Sequence, residues 1–376
     1  MAQPQLPVWL APMVDGSELA FRMLCRKHGA TTAYTPMVRA RQVLAAQGTL
    51  PQPCAADRPL VVQLCGNEPS TLAEAVNVLS AHYGDQLDGI DLNLGCPQQI
   101  AEKERIGAFL ADREPDTAVA CVRAMAAVAA NGLRISCKIR LTEGDASEVS
   151  VADATLAFAR RLEAAGCGLL AVHCRPRTAK HDGSVDLATA RALVAGLAIP
   201  VVVNGGVGSA VDARATLEAT GAHAVMAAQG FLKNPRMLQQ HPPRTVTTPD
   251  TTVHETAQAH AIALAAEYLE FAAEYPPPAA SYVRKHLRWI LRHQLMADAR
   301  PEGGGGRSDG AFATFSAAER DWRAKLWQYI SREHLLTTVN QFRQVRKSCR
   351  HQFSFLFSSF LFFSLLFFPP FVSSTT

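Results

Sequence analysis

Between residues 8 and 238, short apolar runs alternate with longer stretches whose apolar positions recur every three or four residues. The short runs cover 8–11, 32–35, 60–64, 89–94, 135–139, 169–173, 200–204 and 224–227, and their length and β-branched content predict strands. Helices are predicted between them over 17–28, 70–83, 114–130, 152–165, 187–197 and 209–220. Strand alternating with helix implies a parallel sheet, because each crossover returns the chain to the same end. About eight such units in roughly 230 residues is the size of a (β/α)8 TIM barrel. A doubly wound open sheet would place a glycine-rich fingerprint after its first strand. The residues found there are Ala11-Pro12-Met13-Val14-Asp15.

The pattern changes after Pro242-Pro243. A polar stretch, 245–252, precedes three segments with helical periodicity at 254–274, 279–296 and 316–336, separated by Pro276-Pro277-Pro278 and by the glycines of 303–306. A catalytic barrel domain over 1–242 and an all-α C-terminal domain over 253–340 are therefore expected. The middle helix carries Arg284, Lys285, His286, Arg288, Arg292 and His293; from charge alone such a face is ordinarily a solvated one. Residues 343–376 form a Phe/Leu/Ser-rich tail. Its length approaches the roughly 20 apolar residues that cross a bilayer, but its composition matches nothing before it. It reads as a low-complexity appendage rather than an anchor.

Hydrophobic residues make up 48% of the 376 and charged residues 19%, enough for a sizeable core and unlike a disordered chain. A net charge of +4 confines any polyanion-binding surface to a local patch. The nine cysteines form no C-x-x-C pair, and several, such as Cys137, sit inside apolar runs. Buried, reduced thiols in a reducing compartment are expected. The first residues lack the charged and apolar regions of a signal peptide. The expected location is the cytoplasm, although composition does not distinguish it from the nucleus or an organelle.

Candidate chemistry collects at predicted strand ends. Gln63 closes the third strand, Asn93 and Cys96 the fourth, Lys138 with Arg140 the fifth, and His173 the sixth. Asn204-Gly205-Gly206 closes the seventh and Ala228-Gln229-Gly230 the eighth. Barrel active sites are built on that rim. Cys96 lies in Gly95-Cys96-Pro97, a stiff turn on which a thiol can serve as nucleophile, metal ligand or proton donor. No second close Cys or His completes a zinc-like set, so no metal is expected.

The set suits flavin mononucleotide (FMN). Glycines Gly205 and Gly206, ahead of a predicted helix, allow close backbone approach to a phosphate after strand seven. Lys138 fits a cation that offsets the charge a reduced flavin gathers. Gln63 offers both donor and acceptor to a ring edge. The backbone of Pro12, Met13 and Val14 could cover the ring, and His173 can donate to phosphate or substrate.

These residues resemble the tRNA-dihydrouridine synthases. The matching segments are 11–15, Tyr34-Thr35-Pro36-Met37, Val62-Gln63-Leu64, 91–98, Gly107-Ala108-Phe109-Leu110, Lys138-Ile139-Arg140, Val172-His173, Asn204-Gly205-Gly206 and Asn234-Pro235. The similarity covers roughly residues 8–336 and omits the tail. The runs 96–101 and 225–228 look most like the eukaryotic branch that acts on D-loop uridines sixteen and seventeen. The resemblance implies that NADPH (or NADH) reduces FMN, that the flavin passes hydride to C6 of a flipped-out uracil, and that Cys96 gives the proton to C5. An ordinary thiol, with a pKa of about 8.5, is mostly protonated at neutral pH. Pro12, Met13, Val14, Gln63, Lys138, His173, Asn204, Gly205, Gly206, Ala228 and Gln229 would hold FMN. Asn93 and Arg140 would meet the base, with Arg284, Lys285 and Arg288 on the tRNA; no stable protein partner is expected.

Some positions depart from the family's pattern. Glu104-Arg105-Ile106 stands where Gly-x-Tyr is usual, Cys174 replaces a glycine after the histidine, and Gln229 stands where Glu or Arg is customary. None removes a group the mechanism requires. Two alternatives stay open: an FMN barrel reducing a free pyrimidine, which would not need the basic helical domain, and a non-catalytic tRNA-binding or chaperone protein.

Overall fold

The structure is a computed structural model describing residues 5–46, 50, 53–130, 132–142, 149–179, 183–239 and 251–296, without the side chains of 251–259, 262 and 292–296. Its strands are β1 (Val8–Leu10), β2 (Thr32–Tyr34), β3 (Val38–Arg39), β4 (Leu60–Cys65), β5 (Gly89–Leu94), β6 (Arg134–Leu141), β7 (Leu170–Pro176), β8 (Val201–Asn204) and β9 (Ala224–Ala227). All pair in parallel. β1, β2, β4, β5, β6, β7, β8 and β9 close in that order, β9 returning to β1, while β3 lies against β4 outside the ring. The expected TIM barrel is what forms, and its eight strands are the eight predicted ones.

Alternation along each strand sorts the residues into two layers. Outward side chains such as Val62, Leu64, Ile90, Leu92, Cys137, Ile139, Val172 and Val203 share a core with Leu72, Val76, Met125, Phe158, Leu162 and Leu193 of the surrounding helices. Burying a side chain of this size contributes about 1.5–3 kcal/mol, so this layer carries the barrel. Inward side chains Trp9, Tyr34, Val61, Leu169, Ala171, Val202, Ala224 and Met226 fill the barrel's interior. Further along the strands the same inward positions turn polar: Gln63, Asn93, Lys138, His173 and Asn204. That switch makes the C-terminal rim the reactive end.

Local chemistry fixes where helices begin. Pro69 and Pro115 occupy first-turn positions, where a missing N–H costs nothing. Ser150, Asp186 and Ser209 accept hydrogen bonds from the N–H groups three residues on, capping the helices Val151–Ala164, Leu187–Gly196 and Ala210–Thr220. The short helices Ala40–Ala45, Gln99–Lys103, Ala108–Arg113 and Gln229–Lys233 were not predicted, because five or six residues hardly show a period.

The chain divides into two compact units. The first contains the barrel. The second takes in Leu19–Leu24, Leu232–Pro235 and the helices Thr251–Glu274 and Ala280–Met296. The first of these helices starts three residues earlier than predicted, inside the polar stretch 245–252. In the other, Val283, Leu287, Ile290 and Leu291 are buried at helical spacing, Lys285 and Arg288 are exposed, and Arg284 is half-buried. His286 leaves the basic face: it is buried, stacked on Phe21 at 4.1 Å and 4.8 Å from Tyr268. The side chains of Arg292 and His293, the helix predicted at 316–336 and the tail all lie outside the described residues. Among those described, no helix is long and apolar enough to cross a membrane.

Candidate active site

The turn after β5 is held from both sides. Asn93 Oδ1 accepts the backbone N–H groups of Gly95 (3.1 Å) and Cys96 (3.0 Å), and Arg140 Nε donates to Gly95 O at 2.9 Å. Downstream, Ala108 N donates to Cys96 O at 3.1 Å. Gly107 adopts φ +63°, and a Cβ there would stand 2.9 Å from both Cys96 Cβ and Cys96 O. Half-buried Cys96 packs on Cys65, Ala101, Ile106 and Phe109.

The loop between these two anchors contains the Glu104-Arg105-Ile106 departure. Ile106 N bonds Ala101 O and Arg105 N bonds Glu102 O, a Schellman ending for helix Gln99–Lys103 with Arg105 in the left-handed position (φ 53°) that glycine usually takes. Glu104 accepts two 2.7 Å hydrogen bonds from Arg39. Both partners are 35–41% exposed, so this pair contributes at most about 1 kcal/mol. The three residues are thus accommodated, and Glu104 and Ile106, with Arg39, Asn67 and Thr71, line a cavity of about 440 Å³.

On the adjoining strands, Lys138 Nζ donates to Asn204 Oδ1 at 2.9 Å, and Asn204 Nδ2 donates to Met226 O at 2.8 Å. Withdrawal from water, reinforced by the nearby Arg140 charge, lowers the Lys138 pKa to about 8. Arg140 is likewise lowered to about 10, mainly by burial, and also donates to Pro176 O. Gly205 and Gly206 run at φ +122° and +74°, and a Cβ on Gly205 would lie 3.3 Å from both His173 Cδ2 and Arg175 Nη1. Arg175 Nη1 is 3.3 Å from His173 Nε2. Glycine backbone facing the Arg175 guanidinium and the His173 ring suits an anion. Gly230 seals this corner, since its Cβ would meet Val207 O at 2.5 Å.

Gln63, Asn93 and Arg140 therefore join the Gly95-Cys96 turn in one hydrogen-bonded group, Lys138 with Asn204 forms a second, and His173 with Arg175 a third. Ala228 lies against the inner core, and exposed Gln229 opens the helix Gln229–Lys233. Pro12 precedes a turn over residues 13–16, in which Gly16 N donates to Met13 O and Met13 N to Ser17 Oγ, with Val14 63% exposed. Arg284, Lys285 and Arg288 belong to the second unit. Sequence reasoning missed Arg175, Gly107 and the role of Asp91, although Asp91 is marked by being acidic at an inward position of an apolar strand. Among the described residues no group of three His, Cys, Asp or Glu could hold a metal.

Comparison with known proteins bears on this geometry. The dihydrouridine synthase (Dus) family model matches residues 9–301. The chain is 37% identical over 297 residues to a Rattus norvegicus protein named tRNA-dihydrouridine(16/17) synthase [NAD(P)(+)]-like, covering 76% of this chain and 60% of that one. It is 36% identical to the Saccharomyces cerevisiae tRNA-dihydrouridine(16/17) synthase [NAD(P)(+)], covering 60% and 52%. A probable tRNA-dihydrouridine synthase of Rhodobacter capsulatus is 30% identical, with 78% of this chain and 91% of that one covered. The match spans only about half to three-fifths of the two eukaryotic relatives. With more than half of its length matched, the chain belongs to the dihydrouridine synthase family.

Proposed function

We propose that this chain reduces a D-loop uridine of tRNA, at position 16 or 17, to 5,6-dihydrouridine, with FMN as cofactor and NADPH or NADH as reductant. The observation that carries the reading is a half-buried thiol fixed by Asn93 and Arg140 on the same rim as Lys138. The names of the rat and yeast relatives support the position and the reductant. FMN fits the residues present: Lys138 offers a cation, and Gly205-Gly206 with His173 and Arg175 offers a phosphate cradle. When bound, FMN would supply the hydride that adds to C6 of uracil. Cys96 Sγ gives its proton to C5, and water restores it. A uracil within folded RNA must be extruded to reach such a rim, and Arg284, Lys285 and Arg288 are suited to bind tRNA phosphates. All eight described cysteines are free thiols, and a reducing, cytoplasmic setting is part of the proposal.

The test is to express the full chain in cells stripped of their own dihydrouridine synthases and map dihydrouridine in their tRNA. The purified protein should be yellow, and dihydrouridine should return at position 16 or 17. A colourless protein that FMN cannot reconstitute, or tRNA without dihydrouridine, overturns the reading.

The lowered lysine gives a second expectation. Lys138 is charged below about pH 8 and neutral above it, so an anionic partner is held less tightly as pH rises through that value. The protonated fraction falls roughly tenfold between pH 7 and 9. Affinity of the apoprotein for reduced FMN, followed anaerobically by flavin absorbance, should fall by up to the same factor and become flat in Lys138→Met. A flat wild-type profile would remove Lys138 from the flavin site.

A further inference from the structure

Beneath the reactive rim, the barrel interior holds a buried acid that the proposed chemistry does not use. Asp91 on β5 is fully buried. Its Oδ1 accepts from Ser136 Oγ at 2.7 Å and its Oδ2 from Gln63 Nε2 at 2.8 Å. Gln63 Oε1 accepts from Asn93 Nδ2 at 2.8 Å, and Asn93 Oδ1 accepts the Gly95 and Cys96 N–H groups. The groups are contiguous across β4, β5 and β6, with Gln63 opposite Asp91 and Asp91 opposite Ser136 in the sheet register.

Each carboxamide in this chain has a donor end and an acceptor end. An ionised carboxylate has only acceptors, so Gln63 must turn its NH2 inward and its oxygen toward Asn93. Asn93 must then turn its NH2 to Gln63 and its oxygen to the turn. We infer that Asp91 is a positioning residue which, through Gln63 and Asn93, sets the hydrogen-bond polarity that seats the Cys96 turn. The same polarity fixes which edge of Gln63 is offered to a bound ring. This role for the thiol rests on the function proposed above.

The prediction separates acceptor chemistry from simple filling of space. In Asp91→Asn, the amide oxygen can still receive Gln63 while its NH2 donates to Ser136, whose hydroxyl takes either role. In Asp91→Leu, the inner acceptor is gone and the Gln63 carboxamide loses its fixed orientation. Alkylation of Cys96 by iodoacetamide, followed peptide by peptide, reads the turn without flavin or RNA. We expect at least a tenfold faster rate in Asp91→Leu and a rate within about threefold of wild type in Asp91→Asn. A folded Asp91→Leu with the wild-type rate overturns the inference, as does an Asp91→Asn variant as impaired as Asp91→Leu. Because this readout needs no turnover, its failure is distinct from failure of the proposed reaction.

A measurement on the unmodified protein covers the case in which Asp91→Leu does not fold. Burial raises the Asp91 carboxyl to about 6, against the opposing effects of Gln63, Ser136 and Lys138. Among the described residues, the other titratable groups that interact with it are Lys138 on β6, which titrates near 8, Tyr34 on β2, which burial holds well above 10, and Cys137 on β6, which Cys167 and burial hold well above the usual thiol range. The Gln63 and Asn93 side-chain NH2 resonances and the Cys96 backbone amide should therefore shift together with one midpoint near pH 6. Separate midpoints, or no shift at Cys96, would overturn the coupling.

Discussion

Cys96→Ala is expected to lower the rate of dihydrouridine formation by roughly 10²- to 10⁴-fold, the usual contribution of a positioned general acid. Flavin absorbance and tRNA affinity should stay within a few-fold of wild type. The reason for so selective a loss is that Sγ carries none of the bonds that shape the turn. Those bonds run from Asn93 and Arg140 to backbone atoms, and they survive truncation at Cβ. The cluster of Cys65, Ala101, Ile106 and Phe109 loses one half-buried sulfur, so folding changes little. Single-turnover reduction of tRNA by prereduced protein isolates the step. An unchanged rate in this variant would show that the proton comes from elsewhere.

The second large effect is expected at a residue with no chemistry of its own. Gly107→Ala should lower the rate by about 10²-fold, the scale set by a 1 Å misplacement of a reacting group. Gly107 sits at φ 63°, ψ −135°, a region that essentially only glycine occupies, and a side chain there costs about 1–3 kcal/mol. The added Cβ would also stand 2.9 Å from Cys96 Cβ and O, so the turn itself has to move. Gly84 is a matched control, with φ 55° and ψ −131° but nothing within 4 Å of its virtual Cβ. Gly84→Ala should show a similar drop in melting temperature and normal catalysis. If both variants lose only stability, the contact between Gly107 and the turn is without functional consequence.

How much of this was legible in the sequence follows from what each feature depends on. The eight barrel strands were readable because runs such as those around Val61 and Val202 are apolar on both faces, as a sheet enclosed by helices requires. The rim residues were readable as polar endings to those runs. The short strand Val38–Arg39 and the helix Gln99–Lys103 were not, because elements this brief have no period and are defined by their partners. Arg175 and Gly107 were invisible for a different reason: their importance is a distance to His173 or Cys96, and sequence carries no distances. His286 shows the opposite error. It sits among basic residues in the chain, and only the rings of Phe21 and Tyr268 reveal that it faces inward.

The loop that bears Cys96 is closed at its neck, by Asn93 and Arg140 on one side and by Gly107 and the Ala108 N–H on the other. Everything between Gln98 and Ile106 lies beyond that clasp. Substitution of tip residues such as Glu102 and Arg105 therefore leaves those bonds in place, whereas Ala101 and Ile106 pack on Cys96 itself. Chemistry and recognition are thereby free to evolve at different rates within one short segment. For an engineer, the tip is the place to graft new contacts, and the clasp is the part to leave alone.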